Sequence, residues 1–411
     1  MRPLALWILA LLVHGAWALT VPAPVDWDPA YYSAVARHLV AGEGAVTGSV
    51  VFLAHLPEAL PATADLHWAP LPSRVLVPGV LLWEHGDRLV NACILATWAP
   101  LAWALTRALG RPRLALWAGV LAASGLGYAR MGASPDSIAL AGALGGLALL
   151  ALLHERPRVL GLALAGLVLT RGDALFVVLG FAVFARRQSL AAMGVPLLVA
   201  AAWWWRGHGL EVDRTALLQA GDYGAWLLGE PSRRSVFGGL AGLPTAYGLA
   251  FGLTLPLALS GHSPKLRPLW TAGVLLAGGT CLIAPALAES GTLYRSGAIL
   301  VPGLCAAAVI GIDRLARWRD LHPAFAFGVL GGGVLLTSVG LGARNASLKP
   351  SVEVICPAIS PDEIVFSDEP LLLELECGAT AVRLPPGLSA EKEAELRKRY
   401  AIRRVFRVHG S

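Results

Sequence analysis

Two aspartates and two tyrosines lie in one short segment, Asp26-Trp27-Asp28-Pro29-Ala30-Tyr31-Tyr32, directly after the first apolar run of the chain. A carboxylate can accept a proton from a hydroxyl or help to hold a divalent metal. The next residues, Tyr31 to Gly44, predict an amphipathic helix at a membrane surface that ends in a Gly-Glu-Gly turn. We therefore expect both acids at the level of lipid head groups, where lipid-linked substrates present phosphate.

Asp28 has a structural interpretation beside the chemical one. Asp followed by Pro is a common helix start, in which the carboxylate caps free amides and Pro occupies the first turn. The two roles are compatible, because a capping carboxylate is held in its charged form. Asp26 is either a solvated loop acid or a residue that helps to orient the site.

Further polar candidates follow in the same loop and in later apolar segments. Glu58, Asp65 and His67 lie among prolines and aromatic residues that suit a platform on a helical bundle, and each is equally well explained as a solvated loop residue. Arg171-Gly172-Asp173 interrupts an apolar region, where charged residues are expensive, so the two charges either pair with each other or bind an anionic head group. Arg295 begins another apolar run and either binds a lipid phosphate or snorkels.

The composition bounds the class of protein. The chain has 411 residues, of which 56% are hydrophobic and 15% charged, and its net charge is +6. These values exclude an ordinary soluble globular protein and indicate a polytopic α-helical membrane protein. Basic residues on cytoplasmic loops account for the positive charge without a nucleic acid partner.

The apolar runs predict about eleven membrane crossings, since about 20 residues span the hydrocarbon core. We place them at 3–20, 88–107, 114–130, 135–153, 158–171, 173–186, 189–206, 236–260, 269–287, 295–314 and 322–342. The fifth and sixth runs are short, and either a tight hairpin or one broken helix explains them.

One alternating set of connections is rich in basic residues, and insertion keeps such residues cytoplasmic. The set comprises Arg2, Arg107, Arg111, Arg113, Arg156, Arg158, Arg186, Arg187, Lys265, Arg267, Arg314, Arg317 and Arg319. With eleven crossings, the loop at 21–87 and the tail then face outward. If the fifth and sixth runs were one crossing, the tail would be cytoplasmic.

The polar tail predicts a second, extracytoplasmic α/β domain at 343–411, beside a membrane domain at 1–342. Short strands near 363–366, 380–384 and 405–408 flank a helix from Ser389 to Tyr400 that starts with a capping pattern. A disulfide between Cys356 and Cys377 would suit an exported domain, although their spacing alone does not establish the bond.

Four segments resemble the GT-C superfamily of membrane glycosyltransferases, especially the branch of protein O-mannosyltransferases and lipid A aminoarabinose transferases. They are the run from Asp28 to Gly44, Pro70-Leu-Pro, the run from Gly166 to Asp173, and Tyr294-Arg295 with Pro302 downstream. In the aminoarabinose branch a Lys would precede paired prolines, and Trp68-Ala69 stands there instead.

The resemblance implies an inverting hexosyl- or pentosyltransferase. Such an enzyme takes its sugar from a polyprenyl phosphate and transfers it to a hydroxyl of a lipid, glycan or protein. The reaction would belong to envelope assembly and would take place at the outer face of a plasma or inner membrane. Asp28 would deprotonate the acceptor or help to hold a divalent metal, with Asp26 in support. Arg295 would stabilise the leaving phosphate, and Tyr31, Tyr32, Glu58, Asp65, His67, Arg171 and Asp173 would contribute to binding. No cofactor is certain on this basis.

Two other functions remain open from the sequence. A lipid or solute transporter would also place charged residues in a central cavity, but it predicts repeat symmetry and polar groups near the midplane, which the sequence does not show. A non-catalytic subunit of an envelope-assembly complex would carry the same segments with a degenerate site.

Overall fold

The computed structural model describes residues 3–20, 27–51, 56–64, 68–83, 85–185, 187–208, 236–283, 292–319, 325, 328, 332, 356, 359–360, 363–385 and 388–406. Helices dominate these ranges. The predicted crossing at 322–342 lies almost entirely outside the described residues.

The described part of the amino-terminal half contains ten α-helices. They are α1 (Pro3–Thr20), α2 (Trp27–Val40), α3 (Leu71–Leu82), α4 (Gly86–Ala96), α5 (Trp98–Ala108), α6 (Ala115–Ala123), α7 (Ser137–Leu153), α8 (Pro157–Thr170), α9 (Leu175–Ala182) and α10 (Arg187–His208). Prolines at the first positions of α3 and α8 suit helix starts, because they need no amide partner there.

The second half adds α11 (Val236–Phe251), α12 (Thr254–Ser260), α13 (Arg267–Ile283), α14 (Leu293–Gly297), α15 (Val301–Trp318), α16 (Pro370–Cys377) and α17 (Ala390–Tyr400). The strands are β1 (Val46–Thr47), β2 (Ser49–Val50), β3 (Ala62–Thr63), β4 (Ile364–Ser367), β5 (Thr380–Arg383) and β6 (Val405–Phe406). Helix α17 is capped by Ser389, whose hydroxyl accepts from the amide of Lys392. The helix and strands predicted for the tail are thus found.

Three helical stretches among the described residues are long and apolar enough to cross a membrane, namely Pro3–Thr20, Gly86–Ala108 and Leu293–Trp318. They agree with three of the predicted crossings to within four residues at each end. The predicted crossing at 236–260 corresponds to a pair of helices bent by 92°, which is either a broken span or a re-entrant loop. Gly252, at φ +49°, lies at this bend, where its missing Cβ allows the turn.

Several other predicted crossings correspond to shorter apolar helices of 10–17 residues, such as Ser137–Leu153 and Pro157–Thr170. The two runs around residue 171 are separate helices, α8 and α9, joined by a 3-10 turn at Gly172–Ala174. The total of eleven crossings and the orientation stay predictions.

The helices pack around a core that contains Trp98, Tyr128 and Phe181, all buried. Helix α7 contacts α5, α8 and α15, while α12 lies against α15. The α12 to α15 contact is close because glycine lies on both sides of it, Gly261 directly after α12 and Gly311 within α15. A Cβ on Gly261 would lie 1.9 Å from the carbonyl oxygen of Ala307, and one on Gly311 would lie equally close to that of Leu257. Small residues commonly allow such close backbone approach between apolar helices.

Helix α2 differs from its prediction. The helix exists, but it begins at Trp27 rather than Tyr31, and all eight residues from Pro29 to Ala36 are buried. A helix buried around its whole circumference is not an amphipathic surface helix. Helices α3 and α16 cover it, so α2 lies inside the protein between the membrane helices and the tail.

The tail and the first loop share one sheet. Its strand order is β2-β5-β4-β6, with all pairs parallel, and Ser49 of the loop is opposite Ala381 of the tail. Cys356 and Cys377 form a disulfide. Since a loop strand completes the sheet, a domain boundary near residue 343 stays a prediction.

Candidate active site

Asp28 lies in the first turn of α2 and accepts hydrogen bonds on both carboxylate oxygens. Trp68 donates its Nε1–H to Oδ1 at 2.9 Å, and Arg295 donates from Nη1 to Oδ2 at 2.7 Å. The side chains of Asp28 and Arg295 are 16% and 14% exposed. Helix α2 already includes Trp27, so Asp28 is not the residue before the helix, and its described partners are side chains.

Trp68 also forms the aromatic wall beside Asp28. Its ring stacks on Tyr31 with centroids 4.2 Å apart, and Tyr31 in turn meets Tyr32 edge to face. The sequence marked Trp68 only as a departure from a family motif. Its indole hydrogen bond depends on folding the loop back onto α2, so the local sequence gave no signal for this role.

Tyr32 lies among the charged groups of the site. Burial raises the pKa of its phenol well above the usual range, and the negative charges of Asp28 and Asp136 raise the pKa further, while Arg171 opposes them. The phenol therefore remains protonated and can act as a hydrogen-bond donor.

Asp136 is a further residue of this site, and the pattern Ser134-Pro135-Asp136 predicts only a helix start there. It does cap α7, since its Oδ1 accepts from the amide of Ile138 at 3.4 Å and from the hydroxyl of Ser137 at 2.9 Å. Its other oxygen, Oδ2, faces Arg295 Nε at 3.7 Å, and the side chain is fully buried. The Asp-Ser pattern predicts the cap but does not reveal the cation opposite, which is 159 positions away.

Arg171 and Asp173 form a buried ion pair rather than two separate contacts. Arg171 donates from Nε to Asp173 Oδ1 at 3.1 Å and from Nη2 to Oδ2 at 3.0 Å. Their side chains are 9% and 7% exposed. Of the two interpretations given above, the structure supports mutual pairing.

The remaining predicted residues divide into two groups. Glu58 is exposed, and the carbonyl of its neighbour Pro57 accepts from Tyr400 of the tail at 2.6 Å. Glu58 thus lies on the segment that packs against α17. Asp26, Asp65 and His67 lie outside the described residues, and their roles stay predictions.

The described residues contain no group of three or more His, Cys, Asp and Glu side chains arranged to hold a metal ion. Asp28 and Asp136 are two carboxylates near each other, but both face the guanidinium of Arg295, which already supplies the positive charge between them. A divalent cation would have to replace that contact. The donor set of the described residues does not fit a metal, and no step is derived through one.

The opposite end of α2 is attached to the tail. Arg37 donates to the carbonyl of Leu375 at 2.6 Å, and His38 Nε2 lies 3.0 Å from Oε1 of Glu374. At the start of the helix, Trp27 donates to Glu369 at 2.7 Å. Both ends of the helix that carries Asp28 therefore touch residues of α16 or the turn before it.

Comparison with solved structures identifies the fold. ArnT of Cupriavidus metallidurans, crystallised with undecaprenyl phosphate, matches with a TM-score of 0.62 and 14% identity over 98% of this chain and 89% of its own. The Archaeoglobus fulgidus oligosaccharyltransferase, in complex with zinc and sulfate, matches with a TM-score of 0.56 and 14% identity over 94% of this chain. This chain covers only 62% of that enzyme's length.

The archaeal oligosaccharyltransferase AglB from Archaeoglobus fulgidus, in complex with an inhibitory peptide and a dolichol-phosphate, matches with a TM-score of 0.52 and 12% identity, over 92% of this chain and 64% of its own. No protein-family model and no curated protein matches the sequence. ArnT, a lipid A aminoarabinose transferase, and AglB are GT-C superfamily members, so the chain has the GT-C fold that the sequence resemblance predicted. This fold and the apolar helices indicate an integral membrane protein.

Proposed function

We propose that the chain is a membrane glycosyltransferase that moves a sugar from a polyprenyl-phosphate donor to a hydroxyl acceptor at the outer face of the membrane. The observation that carries this proposal is the contact of Asp28 with Arg295, a base and a cation held together beside an aromatic wall. The GT-C fold supports it, as do the undecaprenyl phosphate bound to ArnT and the dolichol-phosphate bound to AglB.

Arg295 binds the phosphate of the donor in this proposal. Its guanidinium can bind a phosphate through two parallel hydrogen bonds, and it stays charged at every accessible pH. The donor phosphate competes with Asp28 for this cation. When Arg295 turns toward the phosphate, Asp28 loses one of its two hydrogen bonds and becomes a better proton acceptor.

Asp28 deprotonates the acceptor hydroxyl in this proposal. The acceptor O–H bond breaks and its proton passes to Asp28, while the acceptor oxygen forms a bond to the anomeric carbon. The bond from that carbon to the phosphate oxygen breaks, and its electron pair leaves with the lipid phosphate. Arg295 stabilises the negative charge as it develops. One displacement of this kind inverts the anomeric configuration.

The aromatic wall of Tyr31 and Trp68 suits the sugar, because apolar sugar faces stack well on aromatic rings. Trp68 additionally fixes the Asp28 carboxylate, since its Nε1–H donates to Oδ1. Tyr32 is protonated and offers a donor to a sugar hydroxyl or to the phosphate. Glu58 lies on the segment that packs against α17, so no role at this cluster is argued for it. Asp26, Asp65 and His67 lie outside the described residues.

The outward location of the site and the extracytoplasmic tail form part of the proposal. The charge distribution of the connections supports them, and an exported tail suits the disulfide of Cys356 and Cys377. A reporter fused after Ser411 tests this, since enzymatic activity of a cytoplasm-specific reporter there would overturn the orientation.

The central test compares Asp28→Asn with Glu391→Gln, an exposed acid in the first turn of α17. Mass spectrometry of lipid-linked sugars in membranes with and without the protein first identifies the accumulating donor. Transfer of that radiolabelled sugar should then fall by about 10²- to 10⁴-fold in Asp28→Asn and stay within about threefold in the control. Unchanged transfer by a folded, inserted Asp28→Asn protein would overturn the proposal.

A further inference from the structure

The ion pair of Arg171 and Asp173 makes more contacts than an isolated pair needs. Beside its two bonds to Asp173, Arg171 donates from Nη1 to the hydroxyl of Ser137 and from Nη2 to the hydroxyl of Ser296, both at 3.2 Å. Each of these serines directly follows a residue of the candidate site, Asp136 in one case and Arg295 in the other. Arg171, which directly follows α8, therefore connects the start of α7 with α14, and these two segments carry Asp136 and Arg295.

We infer that the buried pair of Arg171 and Asp173 positions Asp136 and Arg295, through the serines that follow them, and does not itself bind the donor. This inference rests on the proposed function. It separates the two Arg residues by role: Arg295 contacts the reacting phosphate, and Arg171 acts through its neighbours.

The direction of the hydrogen bonds supports a relay on the α7 side. Ser137 accepts from Arg171 and donates its own hydrogen to Asp136 Oδ1 at 2.9 Å. A hydroxyl can do both at once, since it has one hydrogen and two lone pairs. The orientation of the Asp136 carboxylate, whose other oxygen faces Arg295, is thereby tied to the position of the Arg171 guanidinium.

The α14 side is held in a similar way. Ser296 accepts from Arg171 and lies in hydrogen-bond contact with both Asp173 Oδ2 and the carbonyl of Thr292. Because Ser296 is buried and follows Arg295, its fixed position sets where the Arg295 side chain leaves the helix.

The break between α8 and α9 makes this arrangement possible. Arg171 ends α8 in an extended conformation, with φ −154° and ψ 127°, and a 3-10 turn follows. An uninterrupted helix would separate residues 171 and 173 by about 200° around its axis. The break instead lets both side chains meet, and it aims them at α7 and α14.

The hydrogen-bond capacity of Arg171 argues against direct donor binding. A guanidinium has five N–H donors, and four described hydrogen bonds from Arg171 go to Asp173, Ser137 and Ser296. A bidentate grip on a phosphate needs two parallel donors on one edge. Arg171 would have to give up its hydrogen bonds to Asp173 or to the serines to provide them.

The test uses four single variants of the full-length protein in membranes: Arg171→Lys, Asp173→Asn, Ser137→Ala and Ser296→Ala. Lysine keeps the charge and loses the planar fork, so Arg171→Lys probes geometry. The serine variants keep the ion pair and remove one link each, so they remain informative if an ion-pair variant fails to fold. The matched control is Asp313→Asn, which breaks the Arg317 to Asp313 pair on α15.

For donor transfer we expect kcat to fall about 10- to 100-fold in Arg171→Lys and Asp173→Asn, because small misplacements of reacting groups are costly. The serine variants should lose about 3- to 10-fold each, as expected for one hydrogen bond. The donor KM should stay within about threefold in all four. An increase in KM with unchanged kcat would overturn the inference, because it would indicate direct donor binding.

A double-variant cycle with Arg295→Lys gives a sharper criterion. If Arg171 acts through Arg295, adding Asp173→Asn to Arg295→Lys should lower kcat by less than about threefold more. Full additivity of the two losses would overturn the inference.

Hydrogen exchange separates failure of this inference from failure of the proposed function. In Asp173→Asn, amides at 134–140 and 292–299 should exchange faster, whereas those at 370–377 should not change. This readout needs no turnover. If the wild type transfers no sugar, the proposed function fails, and the exchange pattern alone then decides the inference; unchanged exchange in both segments would refute it.

Discussion

Helix α2 meets charged partners at both ends, and the two ends differ in the chemistry of those partners. Near its start, Asp28 pairs with Arg295, a cation that does not titrate. Near its other end, His38 lies between Glu374 of the tail and Glu43 of the following turn, at 3.0 and 2.6 Å. The cation at the Asp28 end is a guanidinium of α14, and the cation at the other end is a titratable imidazole beside the tail.

The surroundings of the two carboxylates differ as well. The described partners of Asp28 are two side-chain N–H groups, both on segments distant in sequence. Glu374 accepts from the amide of Gly48, the hydroxyl of Thr47 and the His38 ring. A backbone amide cannot turn away to a substrate, whereas a guanidinium on a long side chain can. This difference indicates that the Asp28 end is built for exchange of partners and the Glu374 end for attachment.

Arg295→Gln breaks the first end of this comparison and should have the largest effect. Both Asp28 and the leaving phosphate lose their cation, so transfer should fall by about 10²- to 10³-fold. The measurement is the initial rate of sugar transfer in membranes at equal protein levels. Arg314→Gln serves as control, because Arg314 is partly exposed and donates to the carbonyl of Ser260 away from the site. Transfer within threefold of the wild type in Arg295→Gln would contradict the assignment.

Trp68→Phe sharpens the comparison by removing one hydrogen bond to Asp28 while keeping a ring to stack on Tyr31. A hydrogen bond to a charged group contributes about 1.5–3 kcal/mol, so transfer should fall about 10- to 100-fold. Trp83→Phe is a suitable control, since Trp83 is 49% exposed. If the two variants behave alike in kcat, the indole hydrogen bond does not matter for the reaction.

Glu374→Gln breaks the second end. The amide side chain retains one acceptor oxygen but loses the charge that accepts hydrogen bonds from Gly48, Thr47 and His38. The free energy of local opening at the junction should therefore fall by about 1–3 kcal/mol. Hydrogen exchange of the Gly48 and Ala381 amides measures this directly. Glu391→Gln, on the exposed first turn of α17, should leave both rates unchanged. If transfer fell as far as in Arg295→Gln while exchange did not change, Glu374 would belong to the site rather than to the attachment.

Local sequence patterns predicted those parts of the fold that depend on hydropathy or on a helix cap. Helix α1 and the stretch Gly86–Ala108 follow their apolar runs closely, and the capping pattern at Ser389 marks α17. The burial of α2 on all sides was not predictable from the local sequence. The face of the helix that was expected to meet water is covered by α16, which lies more than 300 positions later in the chain.

The candidate site was predicted in part for the same physical reason. Asp28 and Arg295 each stand out locally, and Arg171 with Asp173 stands out as charge in an apolar region. Asp136 and Trp68 do not stand out, because a helix cap and an aromatic loop residue need no further explanation. Strand β2 is two residues long, and only its pairing with β5 defines it. Such long-range contacts leave no periodic signal in the sequence.

The smallest expected effect concerns the pH dependence of the attachment. The hydrogen bond to Glu374 raises the pKa of His38, burial opposes this, and the contact with Glu43 raises the pKa again. A folded-state pKa above the unfolded value of about 6.5 means that the stabilisation is fully present below that pH. It is lost as the pH rises through the higher folded value. Because Thr47 and Gly48 still hold Glu374, the loss should be under about 1 kcal/mol.

Exchange of the Gly48 and Ala381 amides, corrected for the intrinsic effect of pH, should therefore accelerate slightly in the wild type as the pH rises above neutrality. His38→Gln should remove this acceleration, because glutamine does not titrate. His262→Gln, at an exposed position between α12 and α13, should keep it. The Asp28 end should show no corresponding change, since Arg295 keeps its charge throughout the range. An equal pH response in His38→Gln and in the wild type would mean that a group other than His38 titrates at the junction. The difference between the two ends of α2 would then depend only on how firmly Glu374 is held.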